Sequence, residues 1–187
     1  VIDGLWLLGD QIYMDAVANL FETTESEERA ASRYRDAFTD DRSYEEIHAS
    51  GAMRRLMSIV PTWMVVDDHE LVDDWPGLPE GARPSDTMRR RFAAVCAYQW
   101  REPVAADGPR LVAGDVRGFW RAFQVATLPV FAFDTRTERD YRTLGRWHDC
   151  RIIGDAQWRA FRAWLAQRAA DDDGRPVFLL SGSVFGV

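Results

Sequence analysis

Two apolar runs of this sequence each end at side chains that are able to bind metal ions. The run at residues 2–8 is followed by Asp10 and Tyr13, and the run at residues 62–66 is followed by Asp67-Asp68-His69-Glu70. Carboxylate and phenolate oxygens are hard ligands that suit Fe(III), Mn, Mg or Ca. The two stretches are therefore candidates for two walls of one metal site. A turn aspartate and a core tyrosine explain Asp10 and Tyr13 equally well.

His69 lies in the most acidic part of the chain, where residues 67–74 hold five carboxylates besides the imidazole. Neighbouring carboxylates favour the protonated form of a histidine, which suits a general acid or a cation that binds phosphate. We therefore interpret His69 as a catalytic candidate. The alternative is a solvated acidic loop with no chemical role.

Arg136 follows a third apolar run, two residues after Asp134. The guanidinium fork of an arginine matches the geometry of a phosphate group, which makes Arg136 a candidate for substrate binding. A structural ion pair between Asp134 and an arginine is the competing interpretation.

The elements that must position these residues alternate between strands and helices. Apolar runs predict strands at residues 2–8, 62–66, 118–128, 129–133 and 176–180. Capping patterns and helical spacing predict helices at residues 24–38, from Ser43 to Val60, from Ser85 and from Asp155. In the last helix we expect Trp158, Phe161, Leu165 and Ala169 to face inward.

This order predicts an α/β fold with a largely parallel sheet and flanking helices. Ligands of open α/β sheets bind beyond the carboxyl ends of the strands. The strand ends carry Asp10, Asp68 with His69, Asp134 with Arg136, and Ser181. We therefore expect the polar residues at these four strand ends to lie close together at one edge of the sheet.

Composition limits the class of protein. The chain has 187 residues, of which 47% are hydrophobic and 28% are charged, and these values fit one globular domain spanning residues 1–187. The net charge of -7 makes nucleic acid an unlikely partner except as a phosphodiester substrate. No apolar run in the sequence approaches the ~20 residues that span a bilayer, and the compartment is not indicated.

Taken together, these segments resemble the PhoD-like alkaline phosphatases of the metallophosphatase (calcineurin-like) superfamily. The matching segments, in the order of the family, are Gly9-Asp10-Gln11-Ile12-Tyr13, Asp67-Asp68-His69-Glu70, Phe133-Asp134-Thr135-Arg136 with Arg139, and Gly154-Asp155-Ala156-Gln157-Trp158. The resemblance implies a layered metallophosphatase-like sheet domain. It also implies a phosphoesterase acting on phosphomonoesters or phosphodiesters.

The same resemblance implies a site with two metal ions, Fe(III) and a divalent ion such as Ca, Mn or Mg. Asp10 would bridge the two ions, Tyr13 would bind Fe(III) as a phenolate, and Asp68 would bind the second ion. His69 would contact the substrate and protonate the leaving oxygen. Metal-bound hydroxide would attack phosphorus in line with the leaving group.

Both ends of the sequence fall in strand-like runs, so we expect a segment that is incomplete at both ends. The resemblance places one further metal-ligand segment before Val1 and a histidine-bearing segment after Val187. We therefore expect the 187 residues alone to bind metal weakly and to show little activity.

Two other functions remain open from the sequence. The first is a catalytically inactive α/β module that uses the same surface for binding or as a scaffold. The second is a hydrolase with Ser183 as nucleophile, for which the sequence offers no credible base.

Overall fold

The computed structural model describes residues 2–13, 16–17, 20–21, 51–79, 81–100, 118–171 and 174–183. The predicted helix at residues 24–38 and the capping pattern at Ser43 lie outside these residues. The strands are β1 (Leu5–Leu7), β2 (Ala16–Val17), β3 (Leu20–Phe21), β4 (Thr62–Met64), β5 (Arg121–Val125), β6 (Leu128–Ala132) and β7 (Phe178–Leu180). The helices are α1 (Gly51–Ile59), α2 (Asp86–Val95), a π-helical turn (Cys96–Trp100), a 3-10 helix (Leu144–Asp149) and α3 (Asp155–Asp171).

Strands β1 and β4 form a parallel pair in which Leu5 faces Thr62 and Leu7 faces Met64. A hydrogen bond of 2.9 Å from the Val65 amide to the Leu7 carbonyl continues the pairing beyond β4. Both strands were predicted, although each is shorter than the apolar run that contains it. Because the pair is parallel, the polar residues that follow the two strands leave from the same edge.

A second sheet, in the order β5-β6-β7, combines both directions of pairing. Strands β5 and β6 form an antiparallel hairpin, and β7 runs parallel to β6 with Val130 facing Phe178. A largely parallel sheet was predicted, but the two-residue turn at Ala126 and Thr127 forces the antiparallel pair. The described part of the chain is therefore α/β with mixed sheets. The layered metallophosphatase-like arrangement stays a prediction.

Apolar side chains pack between the β1-β4 pair and the β5-β6-β7 sheet. Val65, which follows β4, packs with Val130, Ala132 and Leu180 of the second sheet. The rings of Trp6 and Phe178 meet edge to face at 5.1 Å between centroids. This contact holds the carboxyl ends of β1, β4, β6 and β7 close together.

Helix α3 packs on the second sheet through a different face from the predicted one. Phe161 is buried as expected, but Trp158 and Leu165 are 47% and 36% exposed, and Ala169 is also exposed. The inward face is instead formed by Gln157, Phe161, Trp164 and Arg168. The physical reason is the fully buried amide of Gln157, which hydrogen-bonds the backbone of Asp134 and fixes the rotation of the helix.

The predicted cap of helix α2 is confirmed, since the Ser85 hydroxyl accepts a hydrogen bond of 3.2 Å from the Met88 amide. The buried face of α2 includes Met88, Phe92 and Val95, which pack with Val66 and other residues in the largest apolar cluster. Among the helices that the structure describes, none combines the length and the hydropathy that crossing a membrane requires.

Candidate functional site

The turn after β1 has an unusual backbone. Gly9 and Asp10 have φ values of 114° and 56°, both in the region that favours glycine. A Cβ atom on Gly9 would lie 2.4 Å from Cβ of Asp67. Gly9 is therefore required for the loop after β1 to touch the loop after β4, and the strained Asp10 lies at that contact.

Three carboxylates meet where these loops touch. Ligand oxygens of Asp10, Asp67 and Asp68 all lie within 4.8 Å of one another. Asp67 and Asp68 are buried, and Asp10 is half-buried. Asp10 Oδ1 is itself buried and has no hydrogen-bond partner among the described residues. A buried carboxylate oxygen without a donor is costly unless a cation completes its surroundings.

The electrostatics of Asp10 agree with this geometry. Burial raises the pKa of the Asp10 carboxyl, and the negative charges of Asp67 and Asp68 raise it further. His69 opposes this shift through its charge and its backbone amide. Without a cation, the cluster therefore disfavours full ionisation of Asp10.

Tyr13 and His69 lie together on one flank of the cluster. Their rings stack with 4.0 Å between centroids and 24° between planes. His69 Nε2 is 3.5 Å from Asp73 Oδ1, an ion pair when the imidazole is protonated. Asp68, His69 and Asp73 form a second group whose ligand atoms all lie within 4.8 Å of one another. Asp68 thus belongs to both groups.

Arg136 approaches the cluster from the end of β6. Its guanidinium forms an ion pair with Asp67, and its Nη2 lies 3.2 Å from Asp68 Oδ1. The predicted alternative was an ion pair with Asp134. The Asp134 carboxylate instead accepts backbone hydrogen bonds from Phe119, Arg136 and Thr137. Asp134 therefore shapes the turn, while the charge of Arg136 is directed to the acidic cluster.

Ser183 also reaches this edge, beyond the end of β7. Its hydroxyl accepts a hydrogen bond of 3.0 Å from Thr135 Oγ1 and donates one of 3.4 Å to Asp67 Oδ1. Ser181 donates to the carbonyl of Ser183 at 2.5 Å. The polar residues that follow the four strands therefore lie close together, as predicted. At the end of β7, however, Ser183 and not Ser181 contacts Asp67, and Ser181 hydrogen-bonds the backbone of the turn.

Glu70 lies beneath the cluster and is fully buried. Its Oε1 accepts hydrogen bonds from the Gln11 amide at 2.7 Å and from Gln99 Nε2 at 3.3 Å. Its Oε2 accepts from the amides of Asp67 at 2.8 Å and Asp10 at 3.2 Å. Burial raises the pKa of Glu70 to about 7, against the opposing effect of these hydrogen bonds.

Asp67 and Glu70 were quoted in the sequence motif without a role. Asp67 and Asp68 are adjacent in the sequence, and the pattern of residues does not indicate which of the two carboxylates lies beside Asp10. Glu70 is a charged residue in a loop whose other acidic residues suggest exposure to solvent. The sequence therefore does not indicate that Glu70 is buried. Only the contact between the two loops identifies them.

A comparison with models of protein families identifies the family to which this chain belongs. The family model of PhoD-like phosphatase matches residues 1–173. The chain belongs to the PhoD-like phosphatase family. No curated protein and no solved structure matches the chain.

PhoD-like phosphatases are metal-dependent, and the residues present here suit that requirement. Three carboxylates within 4.8 Å form a hard donor set, and the buried Asp10 Oδ1 has no donor among the described residues. The acidic edge therefore fits a bound cation. All five predicted site residues, Asp10, Tyr13, Asp68, His69 and Arg136, lie at or beside this edge.

Proposed function

We propose that this chain forms the acidic side of a metal-dependent phosphoesterase site in a single domain spanning residues 1–187. The substrate would be a phosphomonoester or a phosphodiester. The observation that carries this proposal is the buried oxygen of Asp10, unpartnered within the described residues, beside the carboxylates of Asp67 and Asp68. Membership of the PhoD-like phosphatase family supports the same chemistry.

Asp10 and Asp68 are the proposed metal ligands, with Tyr13 as the phenolate ligand of an Fe(III) ion. Two bound ions, Fe(III) and Ca, Mn or Mg, would activate water and share the charge that develops on the phosphoryl oxygens. Asp68 lies with Asp10 and Asp67 in one group of closely spaced ligand atoms and with His69 and Asp73 in the other, which supports a metal ligand placed beside the proposed general acid.

His69 is the proposed general acid. Its ring is held between the Tyr13 ring at 4.0 Å and the Asp73 carboxylate at 3.5 Å. A partner carboxylate favours the imidazolium form, which carries the proton that a leaving alkoxide needs. The stacking with Tyr13 restricts the orientation of the ring plane.

Arg136 is the proposed substrate-binding residue. Its guanidinium is anchored by Asp67 and Asp68 beside the acidic cluster. A guanidinium has five N–H donors, so donors remain for a phosphate oxygen after those two contacts. The positive charge of Arg136 also offsets the negative charge that would otherwise repel a phosphate ester.

Elemental analysis of the purified protein, together with hydrolysis of one generic phosphomonoester and one generic phosphodiester, tests this function. In the full-length protein we expect bound metal and turnover that is lost on chelation and restored by Mn²⁺. The Asp68→Ala variant, which removes the ligand oxygen, should lose both, while the Asp171→Ala variant at the end of α3 serves as a charge-matched control. Bound metal without turnover of either ester would favour the inactive binding module, and turnover that survives chelation would contradict metal dependence.

The colour of iron-loaded protein tests the role of Tyr13. Phenolate bound to Fe(III) gives a visible charge-transfer band, so the loaded protein should be coloured and the Tyr13→Phe variant colourless. A colourless protein that contains stoichiometric iron would remove Tyr13 from the set of ligands.

A further inference from the structure

Glu70 connects the two loops that carry the acidic cluster. One of its oxygens accepts from the amides of Asp10 and Asp67, and the other accepts from the amide of Gln11. These amides belong to chain segments about sixty residues apart in sequence, since the Glu70 to Gln11 bond spans 59 positions. One carboxylate therefore sets the separation of the two backbones on which the proposed ligands are mounted.

The surroundings of Glu70 leave it little room to move. Its side chain is 0% exposed, and Gln99 of the π-helical turn donates a hydrogen bond to Oε1. On the opposite side, Asp67 is fitted against Gly9 and Gly182, where a Cβ atom would approach Asp67 to 2.4 and 3.1 Å. The two loops are thus held together by the hydrogen bonds of Glu70 and by the close packing of Asp67 against the two glycines.

We infer that Glu70 is a positioning residue, which sets the spacing of Asp10 and Asp67–Asp68 through the backbone amides of both loops and so determines affinity for the cation. This inference rests on the proposed metal site. Glu70 itself faces the backbone with both oxygens, so it acts through Asp10 and its neighbours rather than as a ligand. Partners that orient metal ligands typically contribute about 10- to 100-fold to metal affinity.

Two variants separate the position of the carboxylate from its charge. Glu70→Gln keeps the length of the side chain, but its NH₂ group cannot accept from the amides that one carboxylate oxygen now serves. Glu70→Asp keeps the charge and is one methylene shorter, so it cannot reach both loops. If positioning matters, both variants should bind Mn²⁺ roughly 10- to 100-fold more weakly.

The measurement is calorimetric titration of the full-length protein with Mn²⁺, expressed per folded molecule after the folded fraction is determined by circular dichroism. Phe161→Leu, which trims a buried side chain on the inward face of α3, serves as the control for a general loss of stability and should keep the affinity of the unaltered protein. If Glu70→Gln does not fold, Glu70→Asp alone carries the test.

Three results would overturn the inference. Unchanged Mn²⁺ affinity in both Glu70 variants would show that the spacing of the loops does not depend on this residue. Unchanged affinity in Glu70→Asp alone would show that charge, not position, is what the cation requires. Absence of Mn²⁺ binding by the unaltered protein would instead overturn the proposed function, and this inference with it.

Discussion

Two buried polar clusters lie at neighbouring strand ends, and they differ in how completely their hydrogen bonds are satisfied. Around Asp134, one carboxylate oxygen accepts from the Phe119 amide and the other from the amides of Arg136 and Thr137. Gln157 pairs with both the amide and the carbonyl of Asp134. In the cluster of Asp10, Asp67 and Asp68, three carboxylates crowd together and Asp10 Oδ1 has no partner within the described residues.

The contrast extends to the neighbours of each cluster. Glu138 completes the Asp134 cluster by accepting from Trp120 Nε1 at 3.0 Å, from the Gly154 amide at 3.2 Å and from Gln157 Nε2 at 2.9 Å. Asp10, by comparison, has a left-handed φ of 56° and a raised pKa. A fully satisfied polar cluster stabilises the fold, whereas a strained and incompletely satisfied one keeps its binding capacity for a ligand. This difference gives the first cluster a structural role and supports the proposed metal-binding role of the second, and the two are called the structural and the chemical cluster below.

The largest expected effect falls on the chemical cluster. His69→Ala should lower kcat roughly 10²–10⁴-fold, the usual range for a general acid–base group, while metal content is kept. Steady-state kinetics with elemental analysis measure both quantities. His148→Ala, at an exposed histidine of the 3-10 helix, is the matched control and should retain full turnover. Full turnover in His69→Ala would remove His69 from the mechanism.

The structural cluster should respond in stability rather than in metal binding. Gln157→Ala leaves the buried amide and carbonyl of Asp134 without partners, at a cost of about 1–3 kcal/mol for each group. We therefore expect the free energy of unfolding to fall by about 2–6 kcal/mol in urea denaturation. Mn²⁺ affinity per folded molecule should stay unchanged. A large loss of affinity with little loss of stability would reverse the roles assigned to the two clusters.

A dependence of stability on pH should come from Glu70, beneath the chemical cluster, in the metal-free protein. The pKa of Glu70 is raised from 4.5 to about 7, so the folded state holds this proton more tightly than the unfolded state. The corresponding stability is present below pH 4.5 and is lost as pH rises through 7. Urea denaturation in a chelator should show a loss on the order of 3 kcal/mol at most across this window.

The Glu70→Gln variant isolates that contribution, because it removes the titrating group and keeps the shape of the side chain. Its stability should vary less with pH than that of the unaltered protein between pH 4.5 and 7. The same pH slope in both proteins would show that Glu70 does not titrate in this range.

The smallest expected effect is a gain in stability. Asp10→Asn removes one of three crowded negative charges and places asparagine, which tolerates positive φ, at φ 56°. The metal-free variant should therefore be more stable by roughly 0.5–1 kcal/mol, with weakened Mn²⁺ binding. Thermal unfolding in a chelator measures this change. A less stable Asp10→Asn variant would mean that the Asp10 carboxylate contributes to the fold and that the comparison of the two clusters fails there.

The sequence by itself determined the strand ends and the residues that follow them. Strands β1, β4, β5 and β7 lie within predicted apolar runs, β6 begins one residue before its predicted run, and the predicted cap at Ser85 is confirmed. The convergence of Asp10 and Asp68 followed from a single rule, that parallel strands present their carboxyl ends at one edge. Arg136 follows β6 of the other sheet and joins them through the packing between the two sheets. Family membership was also visible in the order of the motifs, and the family model confirms it over residues 1–173.

Tertiary structure alone decided which polar groups are buried and what they contact. Local patterns record hydrophobicity along the chain, so Glu70 looked like one more solvated acid and Gln157 like a surface residue of an amphipathic helix. The partners of Glu70 include the Asp10 and Gln11 amides, across 60 and 59 residues of sequence, and those of Gln157 are the Asp134 amide and carbonyl, across 23. A buried polar side chain is stable only where such partners converge, and that convergence exists only once the strands and loops have packed.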